Sequence, residues 1–219
     1  MIARGDLVLV LNCGSSSIKF ALFDASTDPL PRRPEWNGKV QGIGGPRPDF
    51  GETGVAPYPV ELDPAHPYRA ALDVIRERVL ARLDGRRIIA VAHRVVHGGR
   101  KYFEPVVVDA AVLADLQSYV PLAPLHQPFA LEAIDALLSL APGLPQVACF
   151  DTGFHHTIPD LEQILPLPWD AWQRGLRRYG FHGLSYNYMA EALPGRHGDL
   201  ARGRTIVAHL GSGASLCAM

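Results

Sequence analysis

The sequence predicts an α/β fold built on a mixed sheet. Two observations predict it. Continuous apolar runs of strand length, at 7–13 (LVLVLNC), 88–96 (IIAVAHRVV) and 145–151 (PQVACFD), are interleaved with helical stretches at 67–83, 109–119 and 128–140. After only Gly14-Ser15-Ser16-Ser17, the first run is followed by a second strand at 18–24. So short a gap makes an antiparallel hairpin, not a strand–helix unit.

The remaining elements follow in order. Residues 25–66 are rich in Pro and Gly (Pro29, Pro31, Pro34, Gly44, Gly45, Pro46, Pro48) and read as loops with short strands around 38–43 and 55–62. The helix at 67–83 has Leu72, Ile75, Val79 and Leu83 at helical spacing, Pro67 at its start and Gly85 after its end. In the helix at 128–140, Pro128 takes the first position, Ala130, Ile134, Leu137, Leu138 and Ala141 form the apolar stripe, and Pro142-Gly143 stops it. A short helix at 185–193 is expected to start at Ser185 and stop at Pro194-Gly195. Strands at 204–210 and 214–219 flank a Gly-rich turn.

That last hairpin repeats the first. VLNCGSSSIKFAL and VAHLGSGASLCAM share an apolar strand, a polar residue, an x-Gly-Ser turn and a second apolar strand, the mark of an internal duplication. The expected organisation is one domain over 1–203, then the opening hairpin (204–219) of a truncated second domain. Ile206, Val207, Leu210, Leu216 and Met219 are then expected to be exposed, disordered or packed against another chain.

Composition narrows the function. Of 219 residues, 47% are hydrophobic and 20% charged, which suffices for a packed core. A net charge of −1 supplies no basic field for nucleic acid or anionic lipid. No apolar run approaches the ~18 residues of a membrane helix, and the N-terminus does not read as a signal peptide. Cys13, Cys149 and Cys217 are odd in number and share no C-x-x-C, which indicates a reducing compartment, taken as the cytoplasm.

Several residues could carry chemistry. In Asn12-Cys13-Gly14-Ser15-Ser16-Ser17-Ile18-Lys19, the glycine lets the backbone approach an anion, and N–H groups and hydroxyls can donate to phosphate oxygens. Lys19 adds a positive charge, and Asn12 can orient an oxygen or a hydrated metal. A plain Ser-rich turn fits the same residues. Seven of nine histidines (His93, His97, His126, His155, His156, His182, His209) sit at expected strand ends or turns, where ligands bind in α/β folds. A zinc site is the rival reading, but His93 and His97, four residues apart along a strand, lie about 13 Å apart. Arg94 stands inside an apolar strand, where a charge is costly unless paired. It either meets a fixed acid, with Asp151 at the end of its own apolar strand as the candidate, or grips an anionic substrate.

LNCGSSSIK, AHRVVHGG, PLAPLHQP, FDTGFHHTIP, RRYGFHGLSY and HLGSGAS resemble, in order and over nearly the whole chain, segments of the acetate kinase family. LNCGSSSIK and RRYGFHGLSY resemble its two signature patterns. The family belongs to the acetate and sugar kinase, chaperone and actin superfamily. The resemblance therefore implies a ribonuclease H-like, actin-like ATPase domain and a second domain of similar build.

By resemblance, Asn12, Ser15, Ser17 and Lys19 match the first phosphate loop, with Asn12 at the metal, which in the family is Mg²⁺ or Mn²⁺. Arg94 matches the arginine that holds the carboxylate substrate. Val96, Leu125 and Phe181 match the walls of the methyl pocket. His126 and His182 match histidines near the phosphoryl group, His182 as the transition-state stabiliser, and Asp151 matches the catalytic acid. His209, Gly211, Ser212 and Gly213 match the second phosphate loop. The implied reaction is ATP plus acetate giving ADP plus acetyl phosphate, reversibly, by a cytoplasmic homodimer with no nucleic-acid or membrane partner.

The sequence departs from the family at Gln127 (usually Asn), Gly153 (Ala), Leu184 (Thr), Tyr186 (His) and Ser212 (Asn). Family members run to about twice this length, and their second arginine, adenosine pocket and C-terminal glutamate have no counterpart here. The alternatives are a propionate or butyrate kinase, a catalytically silent fragment, and a metal-dependent hydrolase built on the histidines.

Overall fold

Alternation along the strand decides which side of the first hairpin is buried. In β1 (Asp6–Cys13), Leu7, Leu9, Leu11 and Cys13 are buried, while Val8, Val10 and Asn12 take the other face. β2 (Ser17–Asp24) returns antiparallel with Ile18, Phe20 and Leu22 on the buried face. The computed structural model describes residues 5–219. The hairpin is extended by β3 (Trp36–Gln41), β4 (Asp49–Glu52) and β5 (Val55–Pro59). β4 lies in the Pro- and Gly-rich stretch outside the two strand positions expected there. Four residues are too few to show a period.

α1 (Pro67–Ala81), β6 (Arg87–Val95), β7 (Val106–Val107), α2 (Ala110–Ser118), α3 (Gln127–Leu140) and β8 (Gln146–Phe150) follow. The eight strands form one sheet in the order β5-β4-β3-β2-β1-β6-β8-β7. β6 runs parallel to β1, whereas β1–β2, β2–β3, β3–β4, β4–β5 and β7–β8 are antiparallel, so the sheet is mixed, as expected. The chain forms two compact units, one of residues up to Val95 with Val106–Ala148, the other of Val96–Pro105 with Cys149–Met219.

In the first unit, α1 and α3 both pack against the sheet and meet through the rings of Tyr68 and Phe129, 5.4 Å apart. Phe20, Trp36, Phe50 and Tyr58 continue the apolar layer towards the β5 edge, with centroid separations of 4.8–5.9 Å. Asp109 caps α2 by accepting from the Val112 N–H at 2.8 Å, an interaction worth about 1 kcal/mol. α3 begins one residue before Pro128, at Gln127. Gln127 does not cap the helix. Its longer side chain is fully buried and donates to the Leu116 carbonyl at 3.4 Å, tying α3 to α2.

The second unit carries a 3₁₀ turn at Gly153–Thr157, α4 (Asp160–Gln163), α5 (Trp169–Gln173), α6 (Gly183–His197), a 3₁₀ turn at Gly198–Arg202, and the antiparallel hairpin of β9 (Ile206–His209) and β10 (Ser215–Ala218). Two expectations are corrected. α6 starts before Ser185, because His182 holds a left-handed conformation (φ 59°) and turns the chain directly into the helix at Gly183. Pro194 does not stop it. One missing N–H in the last turn is tolerated, and the stop comes at Gly198 (φ 56°), whose N–H bonds back to the Pro194 carbonyl. In the terminal hairpin, Ile206, Leu210 and Leu216 are exposed, but Val207 is buried. Among the described residues, no helix is long and apolar enough to cross a membrane.

Two histidines are held neutral by burial. His93 Nε2 meets Gln146 Oε1 at 2.8 Å, and Gln146 donates its amide to the Ile134 carbonyl, so the histidine nitrogen is the donor. Its Nδ1 is buried without a partner, and desolvation lowers the His93 pKa to about 4. His97 accepts the Gly99 N–H at Nδ1, and burial lowers it likewise to about 4. Since both folded values lie below the ordinary 6.5, the unfolded chain binds the extra protons. Stability from these groups is therefore complete above pH 6.5 and lost as pH falls towards 4. For His93 the loss is about 3 kcal/mol. Urea midpoints measured from pH 7 to 4 should fall, and His93→Gln should be less stable at pH 7 but flatter across that window. A variant as steep as the parent would refute the assignment.

Candidate active site

In the first unit, the residues that resemble a phosphate loop gather at one strand end. The turn after β1 is pinned by Gly14 N–H to the Ser17 carbonyl (2.8 Å) and by Ile43 N–H to the Ser16 carbonyl (3.1 Å), which leaves Ser15 and Ser16 exposed at its tip and Ser17 half-buried. Asn12 lies directly opposite Lys19 across the hairpin, so both project from the same face of the sheet, away from the helices. The parallel register that pairs Leu11 with His93 brings Arg94 beside Asn12, and Arg94 Nη1 donates to Asn12 Oδ1 at 3.1 Å. Asn12, Lys19 and Arg94 thus form one polar group. Cys13 points the other way. Burial pushes its thiol up to about 11, so it stays protonated and is no nucleophile. Leu125 and His126 are exposed just before α3, with Leu125 74% accessible.

In the second unit, Asp151 follows β8 and is almost fully buried. Its carbonyl accepts the Gly183 N–H at 2.8 Å, which holds the end of β8 against the start of α6. Gly183 is required there, because a Cβ would meet that carbonyl at 2.3 Å. The contact sets His182 one residue from the anchor.

The His182 ring stacks on His209 with centroids 4.1 Å apart, and its Nδ1 hydrogen-bonds Ser215 Oγ at 2.8 Å. The buried Tyr186 hydroxyl also reaches Ser215 Oγ, and His209 Nδ1 meets Ser185 Oγ at 3.1 Å. These bonds tie α6 to the terminal hairpin. Gly211, Ser212 and Gly213 are exposed in its turn, and a Cβ at Gly213 would lie 3.5 Å from His182 Nε2. The second imidazole nitrogen of His182 therefore faces the turn that resembles the second phosphate loop. Val96 is buried and Phe181 is 37% accessible.

The sequence profile of the acetokinase family matches residues 7–219, every described segment but the first two residues. The chain belongs to the acetokinase family. Acetate kinases of Rhodopseudomonas palustris and Nitrobacter hamburgensis are 46% and 47% identical to it over 98% of its length. Among solved structures, the acetate kinase of Porphyromonas gingivalis shares 36% identity at a TM-score of 0.76 over 98% of this chain. A propionate kinase from Francisella tularensis shares 32% at a TM-score of 0.83 over 97%. The chain spans about half the length of these relatives, 54% of the Rhodopseudomonas and Nitrobacter acetate kinases.

Tyr186, where the family usually has His, is fully buried and fastens Ser215. Gly153, where the family usually has Ala, has no room for a Cβ, which would come within 2.2 Å of the Phe103 carbonyl. Ser185 and Ser215 were not legible as site residues. Each meets its histidine only through a contact 24 or 33 residues away in sequence.

Proposed function

We propose that the protein carrying this chain is an acetate kinase, transferring the γ-phosphoryl group of ATP reversibly to acetate. The observation that carries the proposal is the His182–His209–Ser215 cluster beside the buried Asp151, built from residues that match the family. Each role follows a residue that matches the family. Arg94, steadied by Asn12, holds the acetate carboxylate, and Ser15, Ser17 and Lys19 receive the phosphoryl group. The family resemblance assigns His126 to that group, and Val96, Leu125 and Phe181 to the methyl group of the acceptor. His182 donates to an equatorial oxygen as charge develops, and the 211–213 turn receives nucleotide phosphate. A carboxylate oxygen attacks phosphorus in line, so positioning and charge stabilisation do most of the catalysis.

Among the described residues, no three His, Cys, Asp or Glu side chains cluster as a complete metal cage. Mg²⁺ bound through phosphates needs only one or two protein oxygens, and the Asp151 carboxylate and Asn12 amide oxygen are donors of that hard kind. Either would hold the ion within its own unit, and the ion's chemistry would be to neutralise phosphate charge. The family reading also carries a cytoplasmic homodimer.

Acetyl phosphate formation from ATP, Mg²⁺ and acetate, trapped as its hydroxamate, tests the proposal on the natural polypeptide that carries this sequence. The Francisella propionate kinase makes propionate the second substrate to compare, and a higher kcat/KM for propionate would reassign the acceptor. Arg94→Ala should raise KM for acetate and lower kcat together, with kcat/KM down about 100-fold, because the guanidinium both orients and neutralises the carboxylate. An unchanged KM for acetate would remove Arg94 from the site.

A further inference from the structure

The second unit holds a cavity of about 240 Å³ that the proposed reaction does not use, lined by Arg100, Arg177 and Arg178 together with His155, His156 and Asp160. Arg177 is the unusual member. It is 91% buried by its 9% accessibility, lies 4.1 Å over the Trp172 ring, and donates one N–H to Gln163 Oε1 at 3.3 Å. Its Nε is buried with no hydrogen-bond partner. Among the described residues, no carboxylate pairs with it. An arginine cannot shed its proton, so a buried one keeps its charge, and a ring face plus a neutral amide leave that charge largely uncompensated.

The surroundings have the same sign. Arg100 and Arg178 are exposed at the cavity, and Asp160 is the single carboxylate lining it, so three arginines face one carboxylate. The walls also place donors and apolar faces together. His156 uses Nδ1 on the Gly153 carbonyl and stacks on Phe103 at 4.9 Å, and His155 uses Nε2 on the Phe181 carbonyl. Both ring orientations are thereby fixed. Aromatic walls lower the local dielectric and strengthen any charge pairing inside.

From these observations we infer that this cavity binds a compact dianionic oxyanion, a phosphate group either free or carried on a small organic molecule. An excess of two positive charges matches a dianion and is only half met by a monocarboxylate such as acetate. The planar guanidinium fork suits the tetrahedral oxygens. The site shares no residue with the Ser15–Lys19 loop and does not depend on the kinase proposal.

The test is a calorimetric titration of this chain with inorganic phosphate at constant ionic strength, in a Lys19→Ala background that weakens the first loop. Saturable binding should persist there, be tighter than acetate binding, and weaken about tenfold in Arg178→Ala and in Arg100→Ala, the effect of losing one charge-assisted contact. Both variants are at exposed positions, so folding is preserved, whereas Arg177→Gln risks the fold and is secondary. Methyl phosphate distinguishes the source. Tighter binding than inorganic phosphate identifies an ester and weaker binding the free ion, and either supports the site. Absence of saturable binding, equal affinity for acetate, or affinity unchanged in both arginine variants would overturn it.

Discussion

In the natural polypeptide, His182→Asn should lower kcat for acetyl phosphate formation by about 10²–10³-fold, with KM for acetate little changed. The choice of replacement follows from the backbone. His182 is one of two non-glycine residues with positive φ among those described, at 59°, and asparagine adopts that conformation more readily than alanine. His182→Asn therefore removes the imidazole while keeping the entry into α6. His182→Ala adds backbone strain and should lower the melting temperature as well.

The ring stands against His209, its Nδ1 is occupied by Ser215, and its Nε2 faces the 211–213 turn. A donor fixed in this way needs no rearrangement when charge develops on the phosphoryl oxygens. Ser215→Ala frees Nδ1 without removing the ring, so it should cost less than His182→Asn. Equal kcat in His182→Asn and parent would exclude the histidine from transition-state stabilisation.

The parts of the fold legible in the sequence are those with a period long enough to count. β1, β2 and β6 carry continuous or alternating apolar residues over eight or nine positions, and α1 and α3 carry 14 or 15 residues of helical spacing. β4, β7, α4 and α5 have two to five residues each and lie among prolines and glycines, so no period can form. The start of α6 at Gly183 is hidden in the sequence for a different reason. Its N-terminal signal is a backbone conformation at His182 with no side-chain cap, whereas Ser185, the residue that looks like a cap, spends its hydroxyl on His209. Val207 looked like one more uncovered strand residue, yet it is buried in its own unit. The candidate site residues stand in short motifs of the sequence, Asn12 to Lys19 and Arg177 to Gly183. The partners that orient them, Ser215 for His182 and Asn12 for Arg94, depend on chain crossings that a linear motif does not encode.

Residues 1–219 assayed as an isolated polypeptide should show no measurable acetate kinase turnover, although they should fold. Folding is expected because the first unit buries a continuous layer from Leu7 to Phe50 beneath α1 and α3, and the second closes around Tyr186 and Val207. Turnover fails for a different reason. The chain matches about half of each relative, and the adenosine pocket and second arginine that the family resemblance implies have no counterpart among its residues. ATP would meet the phosphate-loop turns but would not be held for in-line attack. Positioning of this kind supplies roughly 7–11 kcal/mol of a barrier, equivalent to about 10⁵–10⁸ in rate. A kinase turning over at about 1–100 per second would fall below 10⁻³ per second, under the background of a coupled assay. Cooperative urea unfolding measured on the same sample separates an inactive folded chain from an unfolded one. Turnover within the ordinary kinase range would show that these residues position the nucleotide unaided.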